Sequence, residues 1–204
     1  TYAGAVSLFV NSTSKISNFK NEITVYGNTH LKEKFSQNYI NIPLGKNTLF
    51  KSQSKDYINK FAELIANKTI DILEIHNRPN YIKLIKNINS KIVLYFHNDP
   101  LSMIGSKYSQ ERKNLLLICE KIIFNSEWSK KRFLENLEGI YAKSLKLEVI
   151  HQSINKEKVN IDKKLKLITF VGKLNSAKGY DLFGLGYDFS ASYGSNHIRY
   201  YLKN

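Results

Sequence analysis

The sequence predicts an α/β fold built on a doubly wound parallel sheet. Two observations lead there. Apolar runs of strand length alternate with segments of helical spacing, and one run, Ile92-Val93-Leu94-Tyr95-Phe96, is apolar throughout, as a strand covered on both faces requires. Parallel neighbours need a crossover, which the intervening helices supply. With 204 residues, 42% of them hydrophobic and 24% charged, the chain has a globular balance and room for one well-buried domain and a remainder.

The elements follow in order. Val6, Phe9, Val10, Ile16 and Phe19 recur at helical spacing, then Glu22-Ile23-Thr24-Val25-Tyr26 reads as a strand before the turn signal Gly27-Asn28. Tyr39-Ile40-Asn41-Ile42 is a short strand ahead of Pro43. A helix through Tyr57, Ile58, Phe61, Leu64 and Ile65 leads to a strand at 70–75. The unit repeats: Tyr81, Ile82, Leu84 and Ile85 suggest a helix before the strand at 92–96. Leu115 to Ile118 close another helix, Lys121-Ile122-Ile123-Phe124 is a strand, 128–137 returns to helix, and 145–150 is the next strand. A polar, lysine-rich stretch at 155–166 marks a linker, and Leu167-Ile168-Thr169-Phe170-Val171 starts afresh.

In a doubly wound sheet, ligands bind beyond the carboxyl ends of the strands. The residues standing there are His76 and Asn77, His97-Asn98-Asp99, Asn125-Ser126-Glu127 and His151. Asp99 precedes Pro100, which favours a turn over a role in orienting His97. Ser126 followed by Glu127 reads as a helix cap with a first-turn carboxylate.

Thirty-one Lys and Arg against 17 Asp and Glu give a net charge of +14, a field that attracts phosphate on nucleotide, nucleic acid or lipid. Arginine is scarce (Arg78, Arg112, Arg132, Arg199), so a compositional bias toward lysine accounts for the charge equally well. No stretch approaches the roughly 18 to 20 uncharged apolar residues of a membrane span, and residues 1–10 lack a signal-peptide pattern. Cys119 is the single cysteine and sits in the apolar run after Leu115, so a buried thiol in a cytoplasmic protein is expected. No Cys-x-x-Cys, His-x-x-x-His or Gly-x-Ser-x-Gly occurs, which leaves metal and serine-hydrolase chemistry without support. Gly184-Leu185-Gly186 lacks the strand and third glycine of a dinucleotide loop.

Three stretches together resemble the glycosyltransferase family 4 of the GT-B fold, whose two Rossmann-like domains face each other across a cleft. Phe170-Val171-Gly172-Lys173-Leu174 through Lys178-Gly179-Tyr180-Asp181-Leu182 is similar to its phosphate-binding segment. Ile123-Phe124-Asn125-Ser126-Glu127-Trp128-Ser129 with Phe133-Leu134 resembles its last N-domain strand and helix, and Glu148-Val149-Ile150 through Ile154 its following strand. The resemblance implies an acceptor-side Rossmann-like domain at 1–154, a linker at 155–166, and at 167–204 the start of a nucleotide-sugar-binding domain. It further implies that the chain begins late and lacks most of that second domain, so that alone it binds donor weakly and transfers nothing.

For the site, the resemblance implies that His97 contacts the transferred sugar as the catalytic histidine. Lys173 and Lys178 would hold the donor diphosphate, where two cations stabilise charge on the leaving phosphate. Gly4 would serve close approach of a loop to the donor, and His76 and Asn77 would line the acceptor side. The expected reaction is a retaining, metal-free hexosyl transfer with no cofactor beyond the nucleotide-diphosphate sugar as substrate. Its acceptor would be lipid-linked or saccharide, and the protein would sit in the cytoplasm or against the inner face of a membrane. A helix carrying Lys83 and Lys86 beside Tyr81, Ile82 and Ile85 would touch anionic lipid there, or else pack its apolar face inward. The alternatives are a non-catalytic α/β binding module and, on charge alone, a nucleic-acid-binding protein; no specific nucleic-acid partner is expected.

Overall fold

The computed structural model describes residues 4–30, 32, 34, 38–44, 52–85 and 88–152. Contacts divide the chain after Ile154, and all the described residues belong to the first unit, Thr1–Ile154. The linker at 155–166, the strand expected at 167–171, Lys173 and Lys178 lie outside the described residues.

The described residues form a parallel α/β fold of Rossmann-like kind. Strands β3 (Ile72–His76), β4 (Lys91–Phe96), β5 (Lys121–Phe124) and β6 (Leu147–Val149) make one four-stranded sheet in that order, every neighbouring pair parallel. Strands β1 (Val25–Gly27) and β2 (Tyr39–Asn41) pair separately, also parallel. Helix α1 (Ala5–Ile16) precedes β1, and α2 (Gln53–Ile65), α3 (Ser109–Ile118), α4 (Glu127–Leu134) and the short α5 (Gly139–Ala142) lie between later strands. Among the described residues no helix is long and apolar enough to cross a membrane.

Register explains the core. Ile75 lies opposite Leu94, Leu94 opposite Ile122, and Ile122 opposite Leu147, so one buried aliphatic row crosses all four strands. Two residues further along the same face, Phe96 and Phe124 stack at 5.6 Å, and Phe133 of α4 closes over both at 5.8 and 5.3 Å. Period-two alternation sends Tyr95 to the other face, where it too is buried, so β4 is covered on both sides as its apolar run predicts. Helix α2 adds Ile58, Phe61 and Ile65 to the same core, with Tyr26 of β1 edge-on to Phe61 at 5.1 Å. Cys119 is fully buried, and burial pushes its thiol up to about 12.

Among the elements that differ from the periodicity reading are three helical ones. Residues 79–84 form a 3-10 helix and not an α-helix. Pro79 opens it, and three residues per turn bring Ile82 and Ile85 to one side, both buried. The apolar side chains suggested for lipid contact are therefore committed to the interior, Tyr81 stacks on Tyr57 at 5.8 Å, and Lys83 stands 3.8 Å from Glu111. Helix α4 stops at Leu134 instead of continuing to 137, because Asn136 takes a left-handed φ of 58° just past the cap. Helix α1 stops at Ile16, and the Ser17 hydroxyl accepts the Phe19 N–H at 3.1 Å, leaving Phe19 exposed.

Two details hold the loop between β4 and α3. Gly105 has φ +96°, and a Cβ there would stand 2.5 Å from the backbone nitrogen of Asn80. Arg112, 2% exposed, donates to the carbonyls of Ser106, Lys107 and Glu135, which ties this loop to the end of α4.

Candidate functional site

Strands β3 and β4 end side by side, with His76 opposite Tyr95. Past His76 the chain turns away through Asn77, whose φ of 52° lies in the left-handed region that asparagine tolerates better than most residues. The Asn77 backbone N–H still donates to the Tyr95 carbonyl at 2.9 Å, and its side-chain oxygen accepts the His97 N–H at 2.7 Å. One side chain thus supplies a rung that the strand backbone no longer offers. Asn125, beyond β5, repeats the device: its amide nitrogen donates to the His97 carbonyl at 2.8 Å, and its oxygen accepts from the Ser129 hydroxyl at 2.8 Å.

These rungs bring the predicted residues together. His76 Nδ1 and His97 Nε2 lie 2.9 Å apart, and Asn77 adjoins both. Glu74, two residues before His76 on the same strand face, places Oε1 3.0 Å from His76 Nε2. Gln152, beyond β6, places its amide nitrogen 2.7 Å from His97 Nδ1. The Tyr95 ring stacks on His97 at 4.3 Å while its hydroxyl donates to the Ile150 carbonyl at 2.7 Å. Phe9 of α1 meets the cluster edge-on, 4.9 Å from His97, 5.1 Å from Tyr95 and 6.1 Å from His76.

The electrostatics make His97 a neutral ring. Burial first, then the neighbouring His76, lowers its pKa to about 4, and the Glu74 charge offsets only part of that. Such an imidazole hydrogen-bonds at neutral pH through one N–H and one bare nitrogen but does not take up a second proton. Burial and Glu74 likewise raise the Tyr95 phenol, which stays protonated.

The other residues singled out from sequence divide clearly. Asp99 accepts the Leu101 N–H at 3.0 Å at the head of the short 3-10 helix Pro100–Ser102 and pairs with Arg132 at 3.1 Å, so it builds a turn and anchors α4. Ser126 caps α4 by accepting the Ser129 N–H at 3.2 Å, with Glu127 in the first turn. Gly4 caps α1 with no side-chain bond, and among the described residues nothing beyond its chain neighbours stands within 4 Å of where a Cβ would be. His151 is exposed.

Sequence reading did not single out Glu74, Tyr95, Phe9 or Gln152. The first two had a usable signal, since period two puts Glu74 on the face of His76 and Tyr95 on the face of His97. Phe9 and Gln152 reach the cluster only through the tertiary fold. Among the described residues no group of three or more His, Cys, Asp and Glu side chains is placed to hold a metal ion. Comparison with models of known protein families gives no match, and neither does comparison with curated proteins.

Proposed function

We propose that the protein takes part in moving a sugar from a nucleotide-diphosphate donor to an acceptor, as a glycosyltransferase of the retaining, metal-free kind. The observation that carries this reading is the meeting of His76, Asn77 and His97 at the carboxyl ends of adjacent parallel strands, where open α/β sheets bind their ligands. The resemblance of residues 170–182 to a diphosphate-binding segment supports it from the sequence.

In this reading the buried, neutral His97 ring is a hydrogen-bond partner for a sugar hydroxyl and not a proton carrier. Its Nδ1 is met by the amide of the exposed Gln152, the group a hydroxyl would replace. Lys173 and Lys178 would stabilise the diphosphate as the sugar leaves, and a donor phosphate oxygen would take the acceptor proton. His76 and Asn77 would face a lipid-linked or saccharide acceptor.

Amide NMR titration of the full chain with nucleotide-diphosphate sugars tests the reading. Weak but saturable shifts at Asn77 and His97 are expected, with the sugar-dependent part removed by His97→Ala. Shifts identical for the sugar conjugate and the bare nucleotide, or none at the strand ends, would overturn it. Tighter binding to a DNA or RNA duplex, falling steeply with salt, would favour the nucleic-acid alternative instead.

A further inference from the structure

The groups around His97 form a hydrogen-bond chain whose direction is fixed from one end. The Glu74 carboxylate can only accept, so His76 Nε2, 3.0 Å away, carries a hydrogen. A neutral His76 then has a bare Nδ1, to which His97 Nε2 must donate across 2.9 Å. A neutral His97 is left with a bare Nδ1, and the group facing it at 2.7 Å is the amide nitrogen of Gln152, which can only donate. The two ends agree. The reverse direction would set the lone pair of His76 Nε2 against the Glu74 oxygen, or would require an additional proton on the ring pair. The Glu74 charge favours that proton, but burial and the neighbouring His76 outweigh it on the His97 ring, and Phe9 and Tyr95 add no charge of their own.

We propose that Glu74, acting through His76, is a positioning residue that fixes His97 in its Nε2–H tautomer, so that the donor sugar presents a hydroxyl, and not a carboxylate, to His97 Nδ1. The ligand half of this rests on the sugar-transfer reading; the tautomer half does not. A hydroxyl donates to Nδ1 as the Gln152 amide does. A carboxylate has no hydrogen to give, and its lone pairs would face the bare nitrogen with no compensating bond. The chain therefore selects a hydroxyl against a carboxylate at the sugar position that faces His97 Nδ1, and it does so from a strand position that bonds to His76 and not to His97.

Long-range nitrogen NMR on the full chain, labelled at histidine, reads each ring nitrogen directly. At neutral pH, His97 is expected to show a bare Nδ1 and a protonated Nε2. Glu74→Ala should give a mixture of tautomers with the amide spectrum otherwise retained, and Glu74→Gln, which keeps an acceptor oxygen, should restore the single form. A protonated Nδ1 on His97, an imidazolium, or an unchanged tautomer in Glu74→Ala overturns the proposal. For the ligand half the C6 substituent is taken as the group that faces His97 Nδ1, and the probes are UDP-glucose and UDP-glucuronate, which differ there alone. The neutral sugar should bind at least about tenfold tighter, the scale at which an unpaired polar group discriminates, and the preference should shrink in Glu74→Ala. Equal binding, or preference for the glucuronate, overturns the selection. Binding of neither removes the ligand half together with the sugar-transfer reading, while the nitrogen spectra still decide the tautomer.

Discussion

The side-chain oxygen of Asn77 accepts the His97 backbone N–H at 2.7 Å from a residue whose own φ is 52°. Two costs are thereby separable. Asn77→Gly keeps the left-handed conformation and loses only the acceptor, which should cost about 1–3 kcal/mol for an unpaired buried N–H. Asn77→Ala adds backbone strain of about 1–2 kcal/mol. Urea unfolding of both variants checks the order; equal losses would show that the conformation contributes nothing.

The same neighbourhood makes stability depend on pH. His97 has its folded pKa lowered from 6.5 to about 4, so the unfolded chain binds this proton more readily than the folded one. The contribution is complete above pH 6.5, is lost as pH falls from there to about 4, and changes no further below. Unfolding midpoints measured across that window should decline in the wild type and decline less in His97→Asn. Parallel curves would contradict the shift.

Gly105 offers a sharper steric test. Its φ of +96° disfavours any side chain, and a Cβ would meet the Asn80 backbone nitrogen at 2.5 Å. Gly105→Ala should therefore destabilise by more than the roughly 1 kcal/mol of an ordinary left-handed glycine replacement. A thermal midpoint within error of the wild type would mean that residues 79–84 move away freely.

At the start of α4, Ser126→Ala removes the acceptor for the Ser129 N–H and should cost about 1 kcal/mol, whereas Ser126→Asp should restore it. Because Ser129 also bonds to Asn125, which holds the His97 carbonyl, the alanine variant should shift the His97 amide resonance as well. A loss of stability with that resonance unmoved would confine Ser126 to capping.

What the sequence revealed and what it hid follow from the range of each interaction. The apolar run of β4 and the strand-end positions of His76 and His97 were legible, because both depend on local period and on the rule that places ligands at strand ends. The join between the two histidines was not, since it depends on the register that sets His76 beside Tyr95. Gln152 lies 55 positions from His97, and no local pattern connects them. Residues 79–84 misled the helical reading because apolar spacing of three satisfies a 3-10 turn as well as an α-helix. Asn136, which ends α4, carries a signal that spacing alone overlooks.

The burial of Cys119 has a practical consequence. It is the single cysteine in 204 residues, it has no exposed surface, and its thiolate is scarce at neutral pH. To a maleimide or a spin-label reagent the folded protein is therefore chemically silent. A cysteine introduced at an exposed position such as Lys131 becomes the sole site that such a reagent finds, so fluorescence or paramagnetic distance measurements can be made on the otherwise native sequence.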